Sequence, residues 1–161
     1  MEPFPHVYSA TAAGAQTGEV SVRGPGLPGL MSAPAPQFGG PGTLWSPEAL
    51  LAAAIADCFI LTFRAVSGAA LFGWRRLECS VDGILDRVAR QTRFTGFTVH
   101  ATLTIAPGAD RAKARRLLSQ AERACLIINS LKGDHTLDAR VLIAGADEDL
   151  TARGPPAAPR R

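Results

Sequence analysis

Cysteine is scarce in this sequence and its count is odd: Cys58, Cys79 and Cys125 are the only three. An odd, small number excludes the disulfide scaffold of a secreted mini-protein. The histidines His6, His100 and His135 are scattered, with no HxxxH or HExxH pair and no zinc-type cysteine spacing. Internal repeats and a glycine-rich phosphate loop are also missing. Charge is sparse at 19% of residues, and 17 Lys+Arg against 14 Asp+Glu leave a net +3. That excess is too mild to point to nucleic acid. The opening MEPFPHVYSA has neither the basic start nor the apolar segment of a signal peptide, so a cytoplasmic protein is expected. The uninterrupted apolar run 49–56 covers eight residues before Asp57, with Arg64 soon after. A membrane span needs about 20 apolar residues, so no membrane association is expected.

What is present suits one globular domain. Hydrophobic residues make up 47% of 161, enough for a core of ordinary size. We expect a single domain over residues 1–144 and a disordered tail over 145–161. Residues 5–12 and 19–23 read as short strands. The Gly/Pro-rich stretch 24–43 retains Leu27, Leu30, Met31 and Phe38, which predicts an ordered connection. A first helix starts at Ser46, a good N-cap, followed by Pro47 and the dipole-matched Glu48, and Gly68 or Gly73 ends it. Alternating apolar positions predict strands over 76–87 and 94–105, joined by a long hairpin through RVARQTR. Asp110 caps a second helix near 111–126, and a strand over 136–143 follows. This order predicts an α+β fold, an antiparallel sheet with helices against it.

The chemistry-bearing residues lie on the helices. Cys58 shares a helical face with Leu51, Ala54 and Ile55, and Cys125 with Leu118 and Ala121. Cys79 falls on the inward face of a strand. A buried cysteine is most often a small core hydrophobe. Asp57 and Glu48 set Cys58 apart, although a carboxylate does not lower a thiol pKa. An acid can instead hold an arginine, and the arginine can stabilise a thiolate. Ten residues of helix put Glu48 roughly 15 Å from Cys58, so Glu48 serves that thiol only from another copy of the chain or through an intermediate residue. That favours a dimer with sites at its interface. Arg111, Lys113, Arg115 and Arg116 read as the solvated face of an amphipathic helix.

SPEALLAAAIADCF and ERACLIINSL together resemble the two cysteine motifs of the OsmC/Ohr proteins, with PQFGGPGTLWSPE and SVDGILDR fitting alongside. The resemblance covers about residues 6–143. It implies an OsmC-like fold with two central core helices, built as an intertwined homodimer. It further implies a thiol-dependent peroxidase of organic hydroperoxides, with Cys58 peroxidatic, Cys125 resolving and Glu48 the acid that orients an arginine. The sulfenic acid at Cys58 would condense with Cys125 to a disulfide, reduced by an external dithiol such as a lipoyl protein. No metal, haem or flavin is implied. The family's N-terminal arginine aligns with Gln16, and Arg23, the only arginine ahead of the helix, is the remaining candidate. Leu126 stands where the family commonly has proline. The competing expectation is a redox-sensing or apolar-ligand-binding protein on the same scaffold without turnover.

Overall fold

Glycine and proline shape the chain up to Leu51, and aliphatic strands and helices shape the rest. The computed structural model describes residues 3–145, and its contacts divide the chain into two units on either side of Leu51/Ala52.

In the first unit, β1 (Thr11–Ala13), β2 (Val20–Arg23) and β3 (Leu30–Ser32) form an antiparallel sheet in the order β1-β2-β3. The β2–β3 turn is built by Gly24-Pro25-Gly26-Leu27, closed by Leu27 N–H donating to the Gly24 carbonyl at 3.1 Å. Gly26 has φ 69°. Proline then glycine at the two central positions, with the glycine at positive φ, is what a type II turn demands. The Gly/Pro-rich stretch is therefore ordered, as expected, and it contains β3, which is too short to show a period in sequence. Residues 5–10, expected to be strand, pair with no strand among the described residues, so only Thr11–Ala13 of that stretch is β.

Helix α1 (Pro47–Ala69) begins as its cap residues predict: Ala49 N–H donates to Ser46 Oγ at 3.2 Å. Its end differs from expectation. Gly68 lies within the last turn, and the left-handed position that closes the helix is taken by Leu71, at φ 48°, with Phe72 N–H donating to the Ser67 carbonyl. This is a Schellman-type end with leucine where glycine is usual. Beyond it, Trp74 Nε1–H donates to Ser67 Oγ at 3.0 Å, and the Trp74 ring meets Phe63 edge-on at 5.4 Å. An 18-residue window of α1 reaches mean hydropathy 1.9, so by length and composition α1 is apolar enough to cross a membrane. The eight-residue run understated this, because the helix stays apolar on both sides of Asp57.

The second sheet comprises β4 (Arg76–Val88), β5 (Gln91–Ile105) and β6 (Asp134–Ile143) in the order β4-β5-β6. β4 and β5 are antiparallel, joined by a two-residue turn, Ala89–Arg90, with φ of 49° and 69°. This corrects the expected long hairpin: both residues take the left-handed conformation of a type I′ turn without glycine or asparagine to signal it. β6 pairs with β5 in parallel, which corrects the expected antiparallel sheet. The physical reason is the connection: β5 leads into α2 (Arg111–Ala124) and α3 (Leu126–Asn129). That crossover carries the chain back to the starting end of β5 before β6 begins. The fold is thus α+β with one antiparallel and one mixed sheet.

Register fixes the inner face of the mixed sheet. Leu77–Leu103–Val141 and Val81–Val99–Leu137 form rows across its three strands, with Cys79–Ala101–Ala139 between them. α2 lies against β5 and β6, burying Ala114, Leu117, Leu118 and Ala121. Its cap is the predicted one: Lys113 N–H donates to Asp110 Oδ1 at 2.9 Å. Two of its four early cations are tied down. Arg111 donates to the Val141 carbonyl at 2.7 Å, and Lys113 to the Ala70 carbonyl at 3.0 Å. On the outer face, His100 Nε2 meets Asp82 at 3.0 Å and its Nδ1 meets Asp138 at 3.2 Å. The Asp138 hydrogen bond leads in raising the His100 pKa, partial burial opposes it, and Asp82 adds to the rise.

Candidate active site

Cys58 sits half-buried on α1, three residues after buried Ile55 and next to buried Phe59. Its sulfur lies 3.9 Å from Thr62 Oγ1, one helical turn on. Cys125 is 1% exposed and occupies the break between α2 and α3, with an extended backbone at φ −67°, ψ 107°. The break follows from the local sequence: Cys125 ends α2, and its carbonyl then accepts from Asn129 N–H to open α3. Leu126 has an amide hydrogen where the resemblance led us to expect proline, and the helix breaks there nonetheless.

Cys58 is among the groups that act on the Cys125 thiol. Burial pushes the Cys125 thiol up to about 11; the amides of Ile128 and Ile127 act the other way, and the hydrogen bond and negative charge of Cys58 add to the rise. A thiol in this state stays protonated at neutral pH, which slows its attack as a nucleophile. All three cysteines are free.

Cys79 is the residue whose place the sequence did not reveal. Burial, and then the charge of Cys125, raise its pKa to about 12. The alternation of β4 pointed Cys79 inward, and the register sets it in a row with Ala101 and Ala139. Thr62 was also missed, although its spacing of four from Cys58 was a usable signal.

The remaining site residues lie apart from this cluster in sequence. Glu48, in the first turn of α1, is half-buried, and its Oε2 is a buried side-chain atom with no hydrogen-bond partner among the described residues. Leaving a buried acceptor unpaired costs on the order of 1–3 kcal/mol. Arg23 ends β2 exposed and forms no salt bridge among the described residues. Asp57 is exposed on α1, so its charge stays solvated in this chain. Among the described residues, no group of three or more His, Cys, Asp or Glu is placed to hold a metal ion.

Solved structures with the same fold include an OsmC-like protein of unknown function from Vibrio cholerae, 14% identical, TM-score 0.77, covering 84% of this chain and 99% of that one. An organic hydroperoxide resistance protein OsmC from Legionella pneumophila is 25% identical with a TM-score of 0.69, covering 87% of this chain and 99% of that one. An organic hydroperoxide resistance protein from Elizabethkingia anophelis is 19% identical with a TM-score of 0.71, covering 88% and 99%. No curated protein matches the sequence. The family described as OsmC-like protein matches residues 40–140, a stretch that holds α1, most of the mixed sheet, α2 and all three cysteines. This chain belongs to the OsmC-like family.

Proposed function

We propose that this protein is a thiol-dependent peroxidase that reduces organic hydroperoxides in defence against oxidative stress. The observation that carries the reading is the pair of free thiols, Cys58 half-buried on α1 and Cys125 buried at the α2–α3 break, with Cys58 acting on the Cys125 pKa. Membership of a family whose solved members include organic hydroperoxide resistance proteins supports it. In the first step the Cys58 thiolate attacks the outer peroxide oxygen, the O–O bond breaks, and the alkoxide leaves as the alcohol after taking a proton. Cys58 becomes a sulfenic acid. Cys125 attacks that sulfur, water leaves, and a Cys58–Cys125 disulfide forms. An external dithiol, such as a lipoyl protein, returns two electrons by exchange. No metal, haem or flavin enters this cycle.

Glu48 fits the role of an orienting acid because its unpartnered buried oxygen would be satisfied by a guanidinium. We assign that guanidinium to Arg23 and place the working site in a homodimer, where Glu48 reaches the thiol of the partner subunit. The apolar side of α1 left open in one chain, including Leu61 at 50% exposure, is consistent with such a dimer. On this reading residues 1–144 act as one domain in the cytoplasm, without nucleic-acid or membrane partners. The test is steady-state loss of cumene hydroperoxide with dihydrolipoamide as reductant. Wild type should turn over, and Cys58→Ser should fall to background.

A second reading is favoured by the high pKa of Cys125, about 11, which slows exchange with an incoming reductant. In that case the chain is a redox sensor: the disulfide forms once per chain while peroxide loss in steady state stays at background.

A further inference from the structure

Helix α1 has two opposite faces. Ile55, Phe59, Phe63 and Ser67 are buried on one, whereas Ala54, Asp57, Leu61, Arg64, Ala65 and Gly68 are exposed on the other. The exposed residues recur at spacings of three and four, so they form one stripe along the helix. Two of them are charged, and neither Asp57 nor Arg64 forms a salt bridge among the described residues. Nor does α1 offer them a partner: no base lies three or four residues from Asp57, and no acid from Arg64. An acid and a base thus stand unpaired on a helix that is otherwise apolar through this stretch.

The stripe is close to symmetric about Leu61. Asp57 precedes it by four residues and Arg64 follows it by three, while Ala54 and Gly68 stand seven away on either side. Along the axis the two charges lie roughly 6 Å and 4.5 Å from the level of Leu61. A second copy of α1, turned end over end about a two-fold axis at Leu61, therefore brings each Asp57 level with Arg64 of the partner subunit to within about 1.5 Å. Ala54 then meets the partner's Gly68, and side chains this small let two helices pack at the usual 8–10 Å or so. A parallel alignment would instead set acid beside acid and base beside base, which is unfavourable.

We propose that the exposed stripe of α1 binds the same stripe of a second copy, antiparallel about Leu61, through two reciprocal Asp57–Arg64 ion pairs. This rests on the homodimer reading and goes beyond it by fixing the direction, the register and the paired charges. The contact is isologous, so one patch serves both subunits and assembly closes at two. Leu61 and its small neighbours supply the apolar contact, and the charges choose the alignment. Asp57, which the peroxidase cycle does not use, acquires a task.

The experiment is sedimentation velocity of the full, reduced chain at low salt, with Asp57→Arg, Arg64→Asp and the double exchange. Wild type should sediment as a dimer. Each single variant places two like-charge pairs face to face, so its dissociation constant should rise by roughly tenfold or more. The double exchange restores both pairs and should dimerise as wild type does. An equal mixture of the two single variants should form a heterodimer, because opposite charges face each other again at both ends. Single variants that dimerise as tightly as wild type overturn the inference and leave the homodimer standing. Single variants that dissociate without recovery in the mixture or the double exchange overturn it as well. A monomeric wild type overturns the homodimer reading together with the inference, whatever its peroxide turnover.

Discussion

Helices α1 and α2 solve the same problem differently. α2 buries Ala114, Leu117, Leu118 and Ala121 and turns its charges outward or ties them to carbonyls. It is the amphipathic helix of a finished core. α1 is apolar nearly all round, yet it buries only Ile55, Phe59, Phe63 and Ser67, a single line at spacing four. A helix apolar on every side is one meant to be surrounded. The contrast teaches that α2 is complete within one chain, whereas α1 carries surface that one chain does not cover.

Deleting the buried line of each helix should break both, and this is the largest effect expected. Phe63 and Leu118 are fully buried; Phe63→Ala should cost about 3–5 kcal/mol and Leu118→Ala about 2–5 kcal/mol in urea unfolding. Equal, small losses in both would erase the distinction between core and open faces. The open side of α1 gives the sharper test. Leu61→Glu places a charge on a residue already half in solvent, so it should leave α2 and the sheet folded while driving the chain toward monomer in sedimentation velocity. An unchanged sedimentation coefficient would mean that this side of α1 faces water in solution as well.

A smaller effect compares how the helices end. α1 closes on Leu71 at φ 48°, 94% exposed, and α2 closes on Cys125 with extended backbone. Leu71→Gly removes a strained side chain that packs on little, and should raise stability by up to about 1 kcal/mol, visible as a higher melting temperature. The smallest effect lies on the solvent face of the sheet. His100 has a raised pKa because protonation completes its bonds to Asp138 and Asp82. Its stabilising contribution is therefore full below the unfolded value near 6.5 and fades as pH rises through the higher folded value. Being well exposed, it should give a shallow slope, and His100→Gln should flatten that slope in melts taken from pH 6 to 8.

Local chemistry was legible in the sequence and topology was not. Ser46 and Asp110 announced both helix starts because capping depends on one side chain and two or three amides. The alternation of β4 and β5 was visible because each has one buried face. The direction of β6 was hidden: strand alternation reads the same whether the neighbour runs parallel or antiparallel, and the crossover decides. Ala89–Arg90 lacked the residues that mark a tight turn, and Leu71 sat in a position where glycine is the usual signal. Of the site, Cys58 and Cys125 were found by motif, one half-buried on α1 and the other buried at the α2–α3 break. The row that Cys79 shares with Ala101 and Ala139 needed strand register, which no local pattern encodes. The expected tail over 145–161 lies, apart from Gly145, outside the described residues.

The mixed sheet has one inner strand, β5, and two rims, β4 and β6. A rim offers unpaired amides and carbonyls to any passing strand. Here both rims carry charged side chains: Arg76, Glu78, Asp82, Asp86 and Arg87 along β4, and Asp134, Asp138 and Arg140 along β6. A second copy of the same rim docking in parallel register would set each of these charges beside its like. For a protein with so apolar a central helix, that charge pattern disfavours growth of the sheet by stacking identical rims.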